Sequence, residues 1–504
     1  MRKSLIFIIA ALFIWIWAPS AHAGPWSIVG PRALGMGGAG VAVANDATAS
    51  YWNPAAYGFF HSGTKDSYGE RDLSAAASLG LGTEIHEDIG DEINKLLAFD
   101  YNLLNTGQLS AERVSEFLQI INDLKGFDEN SNRAATIIAD AAFAVQYGHL
   151  GVGGYILGGL SAKGNLDLVN IVPINTGITG VDLITQLSTG ANFNSGAPIP
   201  AGDFFFTSAE KQNLVNSISA TSGWSTTTAT DFVQAMDFGL SQAQASGIAV
   251  PADITTDITG LAQIASDAVT GGSFADNTSR LLFKGIGLLE VPLTYGVGIT
   301  KNLAVGGNVK FMRARVYNTS VQVFNTNLVD AFETAKNDYE DSENFGVDIG
   351  VLYRRGDAFR FGIVGRNLNN PEFDMRMLLP DDKDHLTEES QVRAGIAVKP
   401  LSFLTLALDA DITKNDTTIS SSYKSQNVGG GLELNLFKVL NLRAGAYKNI
   451  AESDIGFVYT AGLGVNLFLI NFDIGAAVAS ESTSIDSNDI PKEARVEAAF
   501  SMLF

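Results

Sequence analysis

Leu404-Thr405-Leu406-Ala407-Leu408-Asp409-Ala410-Asp411-Ile412-Thr413 alternates almost without a break between apolar and polar residues. In an extended chain, successive side chains point to opposite faces. Leu404, Leu406, Leu408, Ala410 and Ile412 therefore share one face, and Thr405, Ala407, Asp409, Asp411 and Thr413 the other. Two carboxylates at regular inward positions are costly in a sandwich core unless paired, and cost little in a watery lumen. The stretch reads as a strand with one face in lipid and the other lining a barrel. A soluble antiparallel sandwich would alternate in the same way, so the connections have to separate the two.

The same pattern recurs on either side. In Gln391 to Lys399, Val392, Ala394, Ile396 and Val398 oppose Gln391, Arg393 and Lys399; in Phe345 to Arg354, Phe345, Val347, Ile349, Val351 and Tyr353 oppose Asp348 and Arg354. Strands are predicted near 72–82, 137–147, 150–162, 280–299, 303–318, 344–354, 358–368, 389–399, 402–413, 425–436, 439–448, 455–466, 469–480 and 493–504. Their connections run long, short, long, short, as in outer-membrane barrels with short periplasmic turns and longer external loops. A sandwich has no reason to keep that rhythm. The expected fold is an all-β membrane protein: an antiparallel outer-membrane β-barrel of about fourteen strands, with both termini in the periplasm. Val496, Ala498, Phe500, Met502 and Phe504 alternate to the last residue. A final strand ending on an aromatic resembles the signal by which such barrels are assembled, with Phe504 as its terminal element.

The beginning of the chain agrees. Arg2 and Lys3 precede an apolar run from Leu5 to Trp17, and Ala21-His22-Ala23 offers small residues for cleavage before Gly24, so 1–23 reads as a signal peptide. The run is shorter than the ~20 residues of a membrane-spanning helix. Residues 24–71 are expected to form a hatch and 72–504 the barrel. Charged residues make up 17% of the chain, below the roughly 25% of soluble domains, while Gly reaches 52 and Phe 30. There is no Cys, so neither disulfides nor a lipid anchor on Cys contributes. The net charge of −21 argues against nucleic acid as a partner. Beyond the leader, His61, His86, His149 and His385 lack metal-ligand spacing, and no H-E-x-x-H or G-x-S-x-G is present. Neither an enzyme, a cofactor nor a metal site is expected.

Between leader and barrel, Gly30-Pro31-Arg32-Ala33-Leu34-Gly35-Met36-Gly37-Gly38-Ala39-Gly40 leads on to Tyr51-Trp52-Asn53-Pro54-Ala55-Ala56. Gly35, Gly37 and Gly40 match G-x-G-x-x-G, but no βαβ pattern follows to make a dinucleotide site. Small residues at this density suit a backbone confined in a narrow space, such as a barrel interior. The stretch resembles the N-terminal hatch of the FadL-like family, outer-membrane transporters of long-chain fatty acids and other hydrophobic compounds. It is closer still to a branch labelled TraF-like conjugal-transfer proteins. The resemblance rests on the Gly/Ala lead, Asp46-Ala47-Thr48-Ala49 and Asn53-Pro54-Ala55. It implies that Asn53, Pro54 and Ala55 sit in a plug, near a kink in the third strand that opens a lateral exit.

The candidate third strand carries Gly151, Gly153, Gly154, Gly158 and Gly159. Glycines in a strand mark bulges or close backbone approach; these mark either a lateral gate or wall facing a crowded interior. Segments 83–136 and 163–279 are too long for ordinary loops and carry helical stripes: Val114, Phe117, Leu118, Ile121 and Leu124; Phe232, Val233, Met236 and Leu240; Ile254, Ile258, Leu261, Ala265 and Ala268. As helical extracellular inserts they either offer a greasy ligand site, with Phe204, Phe205, Phe206, Phe232 and Met236 as candidates, or pack on one another. The expected function is passive uptake of hydrophobic compounds across the bacterial outer membrane. The competing one is a non-transporting surface or conjugation-associated structural protein. Expected partners are outer-membrane lipid and lipopolysaccharide, the barrel assembly machinery and a hydrophobic small molecule. The protein should fractionate with the outer membrane and migrate differently on gels before and after boiling, and deleting Phe504 should lower the assembled amount; recovery in the soluble periplasm would refute the reading.

Overall fold

The computed structural model describes residues 25–60, 73–87, 132–165, 202–245, 254–255, 258–259, 262, 278–322, 335–356, 358–378, 383–420, 422–485 and 488–503. The expected leader, Phe504, the Val114–Leu124 stripe, and Leu261, Ala265 and Ala268 lie outside them. The strands are β1 (Leu73–His86), β2 (Ala134–Tyr147), β3 (Leu150–Asn165), β4 (Arg280–Gly298), β5 (Leu303–Gln322), β6 (Glu340–Arg355), β7 (Phe359–Arg366), β8 (Glu372–Asp374), β9 (His385–Thr387), β10 (Gln391–Leu401), β11 (Leu404–Asp411), β12 (Asn427–Leu436), β13 (Leu440–Asn449), β14 (Val458–Leu467), β15 (Ile470–Ala479), β16 (Ser482–Ile485), β17 (Asn488–Pro491) and β18 (Glu493–Leu503).

Fourteen of them close into one antiparallel barrel, β1-β18-β15-β14-β13-β12-β11-β10-β7-β6-β5-β4-β3-β2. The seam is a full ladder from Ser74↔Leu503 to Glu84↔Glu493. Each predicted strand is present. Two small hairpins in long connections, β8–β9 and β16–β17, were not predicted; at three and four residues per strand they are too short to show a period. The long inserts are narrower than expected, because β1 runs on to His86, β2 starts at Ala134 and β3 ends at Asn165. The wall is uneven in height. β4 and β5 have 19 and 20 residues, β7 and β11 only 8. A tilted strand crosses a bilayer with ~9–11 residues, so β3, β4 and β5 project well past it at the long-loop end.

The two faces of the wall differ as the alternation requires. Outward residues such as Leu293, Val309, Phe311, Leu408, Ile412, Phe472 and Ile474 are exposed, and they continue around the barrel as an apolar belt. An exposed apolar surface of that extent calls for lipid. Inward charges, expected to rely on a watery lumen, are instead buried and paired. Arg393 lies 2.6 Å from Asp411, Arg443 2.8 Å from Glu433, Lys310 2.9 Å from Glu290, Arg366 2.6 Å from Glu290, and Arg495 2.8 Å from Asp140. Pairing is what makes these charges tolerable away from water.

The space they surround is filled by residues 25–60, folded as α1 (Pro31–Gly35), α2 (Ala49–Trp52) and a 3-10 turn (Pro54–Phe59). A Cβ on Gly350 would collide with the Asn53 carboxamide, and one on Gly306 with the Pro54 carbonyl, so the wall is bare where the plug presses hardest. Gly350→Val should therefore destabilise the barrel by about 1–3 kcal/mol through overpacking, seen as a lower temperature for the shift in gel mobility. Gly154→Val, where a Cβ meets nothing within 4 Å, should leave that temperature unchanged.

Candidate functional site

The plug enters the described structure at the long-loop end and runs to the short-turn end. Trp26 is buried, with the Arg366 and Arg393 guanidiniums 5.1 and 5.0 Å from its ring and Trp52 stacked at 6.4 Å. Arg495 donates to the Ile28 carbonyl. Pro31 suits the first turn of α1, where its missing N–H costs nothing. From α1, Arg32 reaches Glu433 with two hydrogen bonds of 2.9 Å and Asn45 with one of 2.7 Å. Thr460 accepts from the Gly37 N–H, and Asp409 accepts from the N–H groups of Gly40 and Val41 at 2.8 Å each. At the far end the His149 Nδ1 lies 2.9 Å from the Tyr57 carbonyl, and Arg354 sits over the Phe59 ring. Wall strands on every side of the ring contribute, so the segment is held from all directions.

Asn53, Pro54 and Ala55 lie together in this plug, fully buried. The Asn53 carboxamide uses both of its chemistries. Its oxygen accepts from the Ala55 N–H at 3.1 Å, capping the 3-10 turn, and its nitrogen donates to the carbonyls of Val41 and Val351 at 3.3 and 3.2 Å. The turn is thereby tied to another part of the plug and to β6. Ser50 is tied to the wall twice, by its hydroxyl 2.6 Å from the Tyr155 hydroxyl and by its carbonyl accepting from Asn308 at 2.7 Å.

The glycines of β3 divide in what they do. A Cβ on Gly151 would strike Tyr57 of the plug, and one on Gly153 would crowd the Tyr155 ring at 2.7 Å. The ladder to β2 is continuous from Ala135↔Ala162 to Tyr147↔Leu150 and includes Gly158 and Gly159. The ladder to β4 is not: it skips from Val152↔Leu293 to Tyr155↔Glu290. Gly153 and Gly154 are thus unpaired on that side, level with Val291 and Pro292, and proline has no N–H to offer.

Among the described residues, cavities lie on two sides of the plug. One of about 80 Å³ lies between α1 and the small residues Ala76, Ser78, Ala142 and Ala144 of β1 and β2. The other, of about 70 Å³, lies at the long-loop end between Trp26 and Ile28 of the plug and the tops of β1, β2, β13 and β18. The connection between β11 and β12 closes over it. Thr418 bonds the Ser161 hydroxyl at 2.8 Å, Ile419 and Tyr423 bury against Ala134, and the Tyr423 hydroxyl lies 3.1 Å from His86 Nδ1. Tyr423 also donates to Asp454, in the loop after β13. Burial pushes the Asp454 carboxyl up, but hydrogen bonds from His86 and Tyr423 outweigh it and hold it at about 2.

The family comparison matches residues 50–411 to the family described as F plasmid transfer operon, TraF, protein. The chain belongs to that family. Comparison with curated protein sequences finds no match. Among solved structures, the TraF-family chain is similar to the Pseudomonas putida toluene transporter TodX at 10% identity and a TM-score of 0.43, covering 95% of this chain and 99% of that one. It is similar to the CymD monoaromatic hydrocarbon channel at 9% and 0.43, covering 94% and 97%. A Pseudomonas aeruginosa FadL homologue stands at 10% and 0.40, covering 94% and 98%.

In the TraF-family barrel the described part of the helical insert packs on itself. α3 (Ser208–Ser222) starts at a capping box of Thr207 and Glu210, and Gly223, at φ 71°, ends it; α4 is Thr226–Ala245. Phe206, Phe232 and Met236 lie in the shared core with Ile254 and Ile258, so these candidates pack on one another. Phe205 is half-buried against that core, and Phe204 is 38% exposed. Buried Asp237 accepts from the N–H groups of Phe204, Phe205 and Phe206 at 3.1, 2.7 and 2.6 Å. Burial lowers the Lys211 ammonium, but Asp203 and Asp237 outweigh it and raise it.

Sequence reasoning faced Asp409 inward without assigning it a partner, and did not single out Arg32, Glu433 or Trp26. One signal was available: Arg32 is the sole basic residue between Pro25 and Phe60, and a lone cation in a confined apolar segment needs a carboxylate across the wall. In purified protein, a cysteine at Asn53 should react far more slowly with a bulky maleimide than one at exposed Lys301, and removing residues 30–56 should raise ion conductance in planar bilayers. Fast labelling at 53, or unchanged conductance, would remove the plug.

Proposed function

We propose that this TraF-family barrel is an outer-membrane channel for passive uptake of hydrophobic compounds, with capture at the long-loop end and lateral exit through the wall at Gly153-Gly154. Three features support the reading. The exposed apolar belt suits a lipid bilayer, with the short turns facing the periplasm. The plug occupies the lumen, and the small cavities beside it, of about 80 and 70 Å³, suit a solute handed along in steps better than an aqueous pore. The skipped pairs between β3 and β4 carry the proposal: in hydrocarbon an unpaired backbone is costly, and this one follows two residues after Gly151, where the plug residue Tyr57 packs against the wall.

The chemistry demanded is desolvation alone. Burial at about 25 cal/mol per Å² binds an acyl chain or aromatic ring with few polar contacts, and no catalytic group is assigned. Cells carrying the protein should take up labelled fatty acids or monoaromatic hydrocarbons faster than cells without it. Gly154→Val should slow uptake by about tenfold, the rate equivalent of ~1.4 kcal/mol, with the barrel still assembled. No difference for any hydrophobic solute would sink the channel. The second reading, a surface or conjugation-associated structural protein, is favoured by one observation: the insert's core is filled by its own Phe206, Phe232 and Met236. On the channel reading, the same observation moves capture from the helices to the lumen's long-loop end.

A further inference from the structure

Three neighbouring turns of the short-turn rim are apolar to their tips. They join β10 to β11 through Ser402-Phe403, β12 to β13 through Phe437-Lys438-Val439, and β14 to β15 through Phe468-Leu469. The last rungs before them are Leu401↔Leu404, Leu436↔Leu440 and Leu467↔Ile470. The apolar belt of the wall thus runs into each turn with no polar rung between. Elsewhere on the same rim the β2–β3 turn is Gly148-His149, and the β4–β5 turn ends in Thr300-Lys301-Asn302.

Two of the phenylalanines hold a costly backbone. Phe437 has φ 55° and Phe468 φ 59°, in the left-handed region that a side chain with a Cβ avoids. In the β2–β3 and β6–β7 turns the same region is filled by Gly148 at 54° and Gly356 at 56°, as turn chemistry prefers. Phe437 is 93% exposed and Phe468 fully so. Neither ring therefore repays its strain by packing within the described chain. Strain kept at an exposed side chain points to a use for that side chain.

The height of the wall says what meets these rings. β11 has 8 residues and β12 to β15 have 10 each, where ~9–11 are needed to cross a bilayer. A sector with no length to spare leaves its turns at the edge of the hydrocarbon, and such spans are held by anchors at their ends. We propose that Phe403, Phe437 and Phe468 form a lipid-anchoring rim that dips into the phospholipid leaflet on the short-turn side and seats the β10–β15 sector in the membrane. Lys438, between Phe437 and Val439, lays its stem along the same apolar surface and returns its ammonium to the head groups. The inference is independent of what the channel carries.

The chain has no cysteine, so single fluorophores can be placed in the mature protein in phospholipid nanodiscs. An environment-sensitive nitrobenzoxadiazole on Phe437→Cys or Phe468→Cys should emit to the blue of one on Lys301→Cys. It should also be quenched by nitroxide-bearing phospholipid and shielded from aqueous iodide. Emission and quenching equal to those at 301 would overturn the anchor. A second label, on Lys438→Cys, leaves both rings in place. Its quenching by lipid should be lost when Phe437→Asn and Phe468→Asn are added, since asparagine tolerates a positive φ and keeps the turns, with gel mobility as the check on assembly. Unchanged quenching would overturn the role of the rings. Shielding from iodide found in outer-membrane fragments and absent from nanodiscs would overturn lipid as the occupant and assign the rim to a protein.

Discussion

Hydrocarbon offers no water to an unsatisfied N–H or C=O, and the rest of this structure follows from that constraint. A sheet survives it only by closing, and here closure falls to one pairing, β1 with β18, eleven residues deep. Closure forces the alternation, since each strand then has one face in lipid and one in a lumen. It also makes a tube whose interior must be filled or left open. The chain fills it with its own first described segment and bares its wall where the segment touches. Against this background the skipped rungs between β3 and β4 stand out, because they relax the constraint at one place only among the described ladders of the outer wall's tallest sector.

Much of this was written in short-range pattern. A period of two survives any tertiary context when one face meets lipid, so Leu404–Thr413 and its relatives identified themselves. The alternation of long and short connections then separated barrel from sandwich, and the small residues of 30–56 pointed to confinement. The Asn53-Pro54-Ala55 turn was placed by resemblance rather than by pattern; in the structure it is buried and tied to β6.

What escaped depends on distance along the chain. Arg32 meets Glu433 across 401 residues and Arg495 meets Asp140 across 355; no local pattern encodes such pairs. The inward charges were visible, but their partners were not, so the interior was pictured as wet when it is a lattice of ion pairs around a plug. The helical stripe at Phe232, Val233, Met236 and Leu240 was correctly periodic, yet period alone cannot say whether a stripe greets a ligand or a neighbouring helix. The height of β4 was foreseen and that of β5 only in part, because residues beyond the bilayer need not alternate apolar with polar: Ile286, Leu288 and Val316 pack with Phe373 and Met375 of the β8 hairpin.

The direction of the plug has a consequence for how the molecule is made. Pro25 lines the cavity under the long loops, whereas Gly58 packs against Val297 and Ala304 at the opposite rim, close to where the wall begins. Residues 25–60 therefore lie in the tube with Pro25 toward the long-loop mouth and Gly58 toward the short-turn rim. A segment that lies along the lumen and touches β3, β6, β11, β14 and β18 is seated most directly while the wall is open, before β1 meets β18.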